Sequence, residues 1–222
     1  MNDLINIFSN SDPTNVSTSV KLLLLLTVLS LAPSILILMT SFARIVIVLS
    51  FVRTALATQQ MPPNQVIVGL ALFLTFFIMA PTFQEVNKEA LQPLFAEEIG
   101  IEEAYDRASV PFKEFMSKHT RQKDLDLFLT YNQAEKPASV EEIPLTMLVP
   151  AFALSEIKTA FQIGFMIFIP FIVIDMIVAS TLMSMGGMMM LPPVMISLPF
   201  KILLFVLVDG WYLVMKSLLQ SF

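Results

Sequence analysis

The chain has 222 residues, 56% of them hydrophobic and 14% charged, with a net charge of −5, no Cys and one His. Soluble domains run to about 45–50% apolar and about 25% charged, so an ordinary soluble enzyme and a disordered segment are both excluded. Disulfides, thiolate chemistry and two-His or Cys metal sites are ruled out, none of the six glycines makes GxGxxG or a P-loop, and the acidic balance argues against nucleic acid.

Residues 1–19 are polar and carry Asp3 and Asp12 but no Lys or Arg. They read as a short tail, because a cleaved leader needs a basic stretch directly before its apolar run. Apolar sequence starts near Val20, and residues 22–43 hold no charge. At about 1.5 Å per residue this would cross a bilayer core of about 30 Å. Helical character continues through Arg44 to about Leu56, with Pro33 expected to kink it. A turn at Gln59–Pro63 leads into a second apolar segment from about Asn64 to Phe83, so residues 20–84 form a first helical hairpin.

Residues 85–142 differ in kind. They hold 13 acidic and 7 basic residues, 20 of the chain's 31 charges. Within this acidic insert, Leu91, Leu94 and Phe95 repeat at helical spacing, as do Phe112, Phe115, Met116 and His119, and Leu125, Phe128 and Leu129. Short amphipathic helices are expected. Their aromatic faces, Phe112, Phe115 and Phe128, serve either as local core or as contacts with another copy or partner. His119 has no second ligand and reads as a surface or interface histidine.

Residues 143–222 form a second apolar hairpin, with segments from about Pro150 to Met185 and Pro193 to Leu219. The turn between them runs Ser184-Met185-Gly186-Gly187-Met188-Met189-Met190-Leu191-Pro192-Pro193. Six of the 15 methionines fall between Met183 and Met195. Three consecutive Met beside a Gly pair cannot all face one core. Met is flexible and polarizable, so a ring of such turns would make a deformable apolar collar; simple packing of the turn is the alternative. Arg44 and Arg53 flank the first turn, which the positive-inside rule puts in the cytoplasm, leaving the N-terminus and the insert outside.

Ionisable groups within apolar segments are functional candidates: Arg44, Arg53, Glu156, Lys158, Asp175, Lys201 and Asp209. The competing role is pairing with a neighbour. Lys201 and Asp209, eight apart, can share a stripe of one helix but lie about 12 Å apart along it. Glu156, beside Lys158, suits either pairing or a contact between subunits.

Four runs carry a resemblance to a known family: LLLLLTVLSLAPSILILMTSFARIVIVLSFVRTALATQQMPPNQVIVGLALFLTFFIMAP (22–81), PFKEFM (111–116), SEIKTAFQIGFMIFIPFIVIDMIVASTLM (155–183) and MMMLPPVMISLPFKILLFVLVDGWYL (188–213). In these the chain resembles the FliP family of flagellar protein export, which includes the equivalent subunit of virulence injectisomes. The resemblance implies a type III export gate subunit in the bacterial inner membrane at the flagellar basal body. Members form a ring, a pentamer in the family, with FliQ and FliR, joined by FlhB and served by FlhA, around a pore for unfolded flagellar proteins. It also implies that much of the apolar sequence packs helix to helix in a cone, so four simple crossings become buried hairpins. The family's pore loop falls on Met188, Met189 and Met190, and the run Ser155–Lys158 places Glu156 in a region linked to assembly. One departure is the pair Gly186 and Gly187, where the family pattern has one Gly, which shifts the phase of the Met run.

The expected fold is all-α, and the expected role is structural and gating, without catalysis, cofactor or metal. A proton-coupled transporter relaying through Asp175, Asp209 and Glu156 is the rival from another class. A scaffold whose pore lies elsewhere is a further one.

Overall fold

The computed structural model describes residues 23, 26, 27, 30, 33–58, 60–134, 137–184 and 192–222. The methionine turn, with Gly186, Gly187, Met188, Met189 and Met190, lies outside the described residues. The chain divides into two compact units, Met1–Ile37 and Leu38–Phe222. In the first, the described residues are helical, and the Thr27 and Ser30 hydroxyls donate to the carbonyls of Leu23 and Thr27 at 2.8 Å.

Among the described residues all regular structure is helical. The second unit contains α1 (Phe42–Ala55), α2 (Asn64–Phe95), α3 (Ile101–His119), α4 (Gln122–Tyr131), α5 (Leu145–Ser184), α6 (Pro193–Leu207) and α7 (Gly210–Gln220). α2 and α5 are long and apolar enough to cross a membrane, and up to four spans result if each bent helix pair counts as one. α2 passes residues 84 and 85 without a break, so Leu91, Leu94 and Phe95 belong to its end and not to a separate helix. Pro81 and Pro93 both lie inside it. Pro93 has no N–H to give, and the turn before it widens to π geometry over Asn87–Leu91, which keeps the helix going. The helix stops where Glu97 takes a left-handed φ of 58°. Glu98 N–H then donates to Pro93 O at 2.9 Å and Glu97 N–H to Leu94 O at 3.1 Å, satisfying the last carbonyls.

α5 is the axis of the fold. Its 40 residues give a length of about 60 Å, running through Pro150 and Pro170. The first part packs in two directions. Toward the insert, Met147, Leu148, Ala151 and Phe152 join Met116, Leu125, Leu129 and Ile143 in one buried cluster. Each large side chain buried there contributes about 1.5–3 kcal/mol. Phe112, Phe115 and Phe128 pack against this cluster, so the insert's aromatic face is held by the chain's own α5. Phe115 meets Phe152 edge-on at 5.9 Å.

Toward α1, the stripe Ile45, Val48, Leu49, Val52 and Ala55 is buried at helical spacing. Gly164 is what lets the two backbones approach. A Cβ there would stand 2.5 Å from Phe51 Cγ and 3.0 Å from its Cβ, and the root of a side chain cannot swing aside. Gly164→Ala is therefore expected to push α1 from α5 at a cost of about 1–3 kcal/mol. Thermal unfolding checks it, and in a Phe51→Ala background the same change should cost much less.

Candidate functional site

Three charged clusters sit where the helices meet. At the first, Arg44 on α1 and Glu156 on α5 are 3% and 0% exposed. Arg44 Nε donates to Glu156 Oε2 at 2.9 Å and its Nη2 to Oε1, a two-pronged pair that a lysine cannot form. The remaining Nη1 donates to the Ser221 carbonyl at 2.6 Å and to Ser221 Oγ at 3.0 Å. The guanidinium face lies 3.8 Å from the centre of the Phe222 ring. Every edge and one face of Arg44 are thus engaged. Two buried charges are tolerated here because each satisfies the other and the spare donors are used.

One step along α5, Ser155 links the insert to the same helix. Its hydroxyl donates to Asp124 Oδ2 at 2.6 Å, the Arg121 backbone N–H donates to Ser155 Oγ at 3.1 Å, and Arg121 Nη2 reaches Asp124 Oδ2 at 2.5 Å. Burial alone would raise the Asp124 carboxyl. The Ser155 and Arg121 hydrogen bonds, with the charges of Arg121 and Lys158, outweigh it and hold the group below the usual carboxylate range. Lys158 itself is exposed on α5.

The third cluster closes the second hairpin. Lys201 Nζ on α6 lies 2.6 Å from Asp175 Oδ2 on α5, and Ser197 Oγ donates to Asp175 Oδ1 at 2.5 Å. Lys201 is 3% exposed and Asp175 31%. The partner of Lys201 is therefore Asp175. A stripe shared with Asp209 does not exist, because α6 ends before it. Asp209 has φ 52° and α7 leaves at 63° to α6. A Cβ on Gly210 would stand 2.3 Å from the Phe205 ring, which keeps this corner tight. Asp209 stands as the N-cap of α7, where a carboxylate favours the helix dipole. Arg53 is half-buried, with Nη1 3.5 Å from the Pro62 carbonyl across the first turn.

Sequence reasoning picked out Arg44, Arg53, Glu156, Lys158, Asp175, Lys201 and Asp209 but not the pairs, and it passed over Arg121 and Asp124. For Asp175 and Lys201 a signal exists: folding the hairpin at Met188 brings positions 175 and 201 opposite one another. For Arg44 and Glu156, 112 residues apart, only their opposite signs and the scarcity of charge in the arms point to pairing. Asp124 and Ser155 carry no such mark. Among the described residues no group of three or more His, Asp or Glu converges as a metal site would require.

Outside the insert, large apolar side chains face outward: Phe73, Phe76 and Phe77 on α2, Phe165, Met166 and Met176 on α5, Val206 and Leu207 on α6. In the most apolar 18-residue window of α5 only 11% is buried within the chain. All-helical arms with bare apolar faces and ion pairs closed inside them define a helical protein of the membrane-spanning class. A family model described as the FliP family matches residues 25–218. The chain is 77% identical over 222 residues to the flagellar biosynthetic protein FliP of Bacillus subtilis (strain 168), covering 100% of both. It is 54% identical over 210 residues to that of Aquifex aeolicus (strain VF5), covering 94% of this chain and 87% of the relative. A further FliP, from Caulobacter vibrioides, is 54% identical over 203 residues, 91% and 76% of the two chains. The chain belongs to the FliP family.

Proposed function

We infer that this chain is a structural and gating subunit of a flagellar type III export apparatus. Several copies, five by the family resemblance, assemble as a ring or cone with FliQ-, FliR-, FlhB- and FlhA-type subunits in the bacterial inner membrane at the basal body. Unfolded flagellar proteins pass through it. The insert, residues 85–142, lies on the extracytoplasmic side, and the hairpins 20–84 and 143–222 form the wall. Met188, Met189 and Met190, beside Gly186 and Gly187, act as the gasket at the constriction. They yield to a passing chain of any sequence because thioether side chains repack. The subunit works as a conduit and performs no catalysis.

The observation that carries this reading is the bare apolar face of α5. A helix with 11% of its most apolar window buried in its own chain needs other helices or lipid over the remainder. Glu156 and Asp175 each engage a cation in the same chain, which speaks against a proton relay through them. The native chain lacks Cys, so single Cys residues at 188, 189 and 190 can be cross-linked to a stalled export substrate. Cross-links from these positions, and none from a Cys at Glu102 in the insert, are the expected result. Cross-links only from elsewhere would make the chain a scaffold around a pore it does not line.

A further inference from the structure

We propose that Ser221 and Phe222 form a releasable clasp, which ties α7 through Arg44 to α1 and the insert. α7 is weakly held along its own length, burying only Gly210, Val214 and Leu218 while Trp211, Tyr212, Leu213 and Leu219 face outward. It starts at the left-handed corner at Asp209, which gives it a pivot. Its far end carries the directional contacts: Arg44 Nη1 to the Ser221 carbonyl and hydroxyl, the guanidinium on the Phe222 ring, and Lys118 Nζ 3.5 Å from the Phe222 oxygen. The ring stacks on Phe115 at 6.3 Å with 14° between planes and meets His119 edge-on at 5.3 Å.

Two features make the clasp separable from the core. Phe222 borders an open cavity of about 550 Å³, lined also by Phe77, Ile78, Pro81 and Leu219, so water can reach the place it leaves. Arg44 keeps both bonds to Glu156 when Ser221 departs, so release leaves no unpaired buried charge. A segment with few buried contacts, an open flank and replaceable hydrogen bonds belongs to the part of a fold that opens first.

His119 is the chain's single histidine and reads the clasp directly. The charged groups acting on it are Arg44 on α1 and Lys118 on α3; Glu85 on α2 and Glu114 on α3 line the same cavity, and Glu156 on α5 pairs with Arg44. Burial, then the charges of Arg44 and Lys118, lower its pKa to about 4. Because the clasped state depresses this pKa, the clasp holds at full strength above about pH 6.5 and weakens as pH falls toward about 4. In the full-length purified chain, Phe222→Ala should readmit water and raise the His119 midpoint, read by NMR, by about one unit or more. Arg44 and Lys118 remain, so it stops short of the ordinary value. Phe222→Leu should return most of the shift. Amide exchange in α7 should accelerate about tenfold or more in Phe222→Ala, with α1 and α5 unchanged. An unmoved midpoint overturns the clasp. So does equal acceleration across α1 and α5, which would make Phe222 an ordinary part of the core.

Discussion

Replacing Glu156 with glutamine is expected to lower stability by about 3–5 kcal/mol, the cost of leaving one member of a buried ion pair without the other. Arg44 is 3% exposed, so the variant leaves its guanidinium buried without a counter-charge. The amide can accept one of the two hydrogen bonds but supplies no charge, and its NH2 group points donors at donors. The double variant Arg44→Met with Glu156→Leu removes the desolvated charges together and should recover most of the loss. A remainder of about 1 kcal/mol would stay, because Ser221 then loses the donors of Arg44. Thermal or denaturant unfolding of the wild type, Glu156→Gln and the double variant measures both the loss and its recovery. If Glu156→Gln costs less than about 0.5 kcal/mol while export is lost, the residue acts between subunits and its pairing with Arg44 is incidental.

Asp175→Asn should have the next largest effect, on the second hairpin. Lys201 is as buried as Arg44, but its ammonium meets the carboxylate as a single point charge, without the two-pronged fork of Arg44 on Glu156. Asp175 is also 31% exposed, so water screens part of the interaction. A cost of about 1–3 kcal/mol is expected, below that at Glu156. The change also removes an acceptor of charge-assisted hydrogen bonds from Ser197 and Lys201 at once. Lys201→Met in the Asp175→Asn background should restore much of the loss, because no cation is then buried unpaired. A three-protein unfolding series measures this. A cost in Asp175→Asn that Lys201→Met leaves untouched would locate the effect at Ser197.

What the sequence made legible follows from its periodicities. The spacing of Phe112, Phe115 and Met116 places an amphipathic helix, and that of Leu125, Phe128 and Leu129 another; both stand in the structure as α3 and α4. The prolines were the weaker guide. Pro81, Pro150 and Pro170 all lie inside helices, since a single lost hydrogen bond is tolerated where apolar side chains flank it in a long helix. The break that does occur between Val208 and Gly210 has no proline, and Asp209 in left-handed geometry makes it. That choice rests on Gly210 fitting against Phe205, a contact across the corner that no local pattern reveals. The same holds for the ion pairs. Charges isolated in apolar sequence announce that a partner exists, but identifying it requires knowing which helices cross. Of the candidate site, Arg44, Glu156, Asp175 and Lys201 were readable in advance as isolated charges, and the symmetry of the second hairpin marks Asp175 for Lys201; Asp124 with Ser155, and the partner of Arg44, emerge only from the packing.

α5 has one further property. Its first half is fixed on two sides, by the insert's cluster and by α1, while beyond Gly164 only Phe171 is buried in its own chain. The 29 residues from Glu156 to Ser184 make a rod of about 42 Å projecting from a clamped base. Its one interruption among the described residues is Pro170, midway, where the Met166 carbonyl loses its helical donor. Turning such a rod at its root by a few degrees carries its tip sideways by several ångströms. The clamp at Arg44 and the last turn before the methionines are therefore two ends of a single lever.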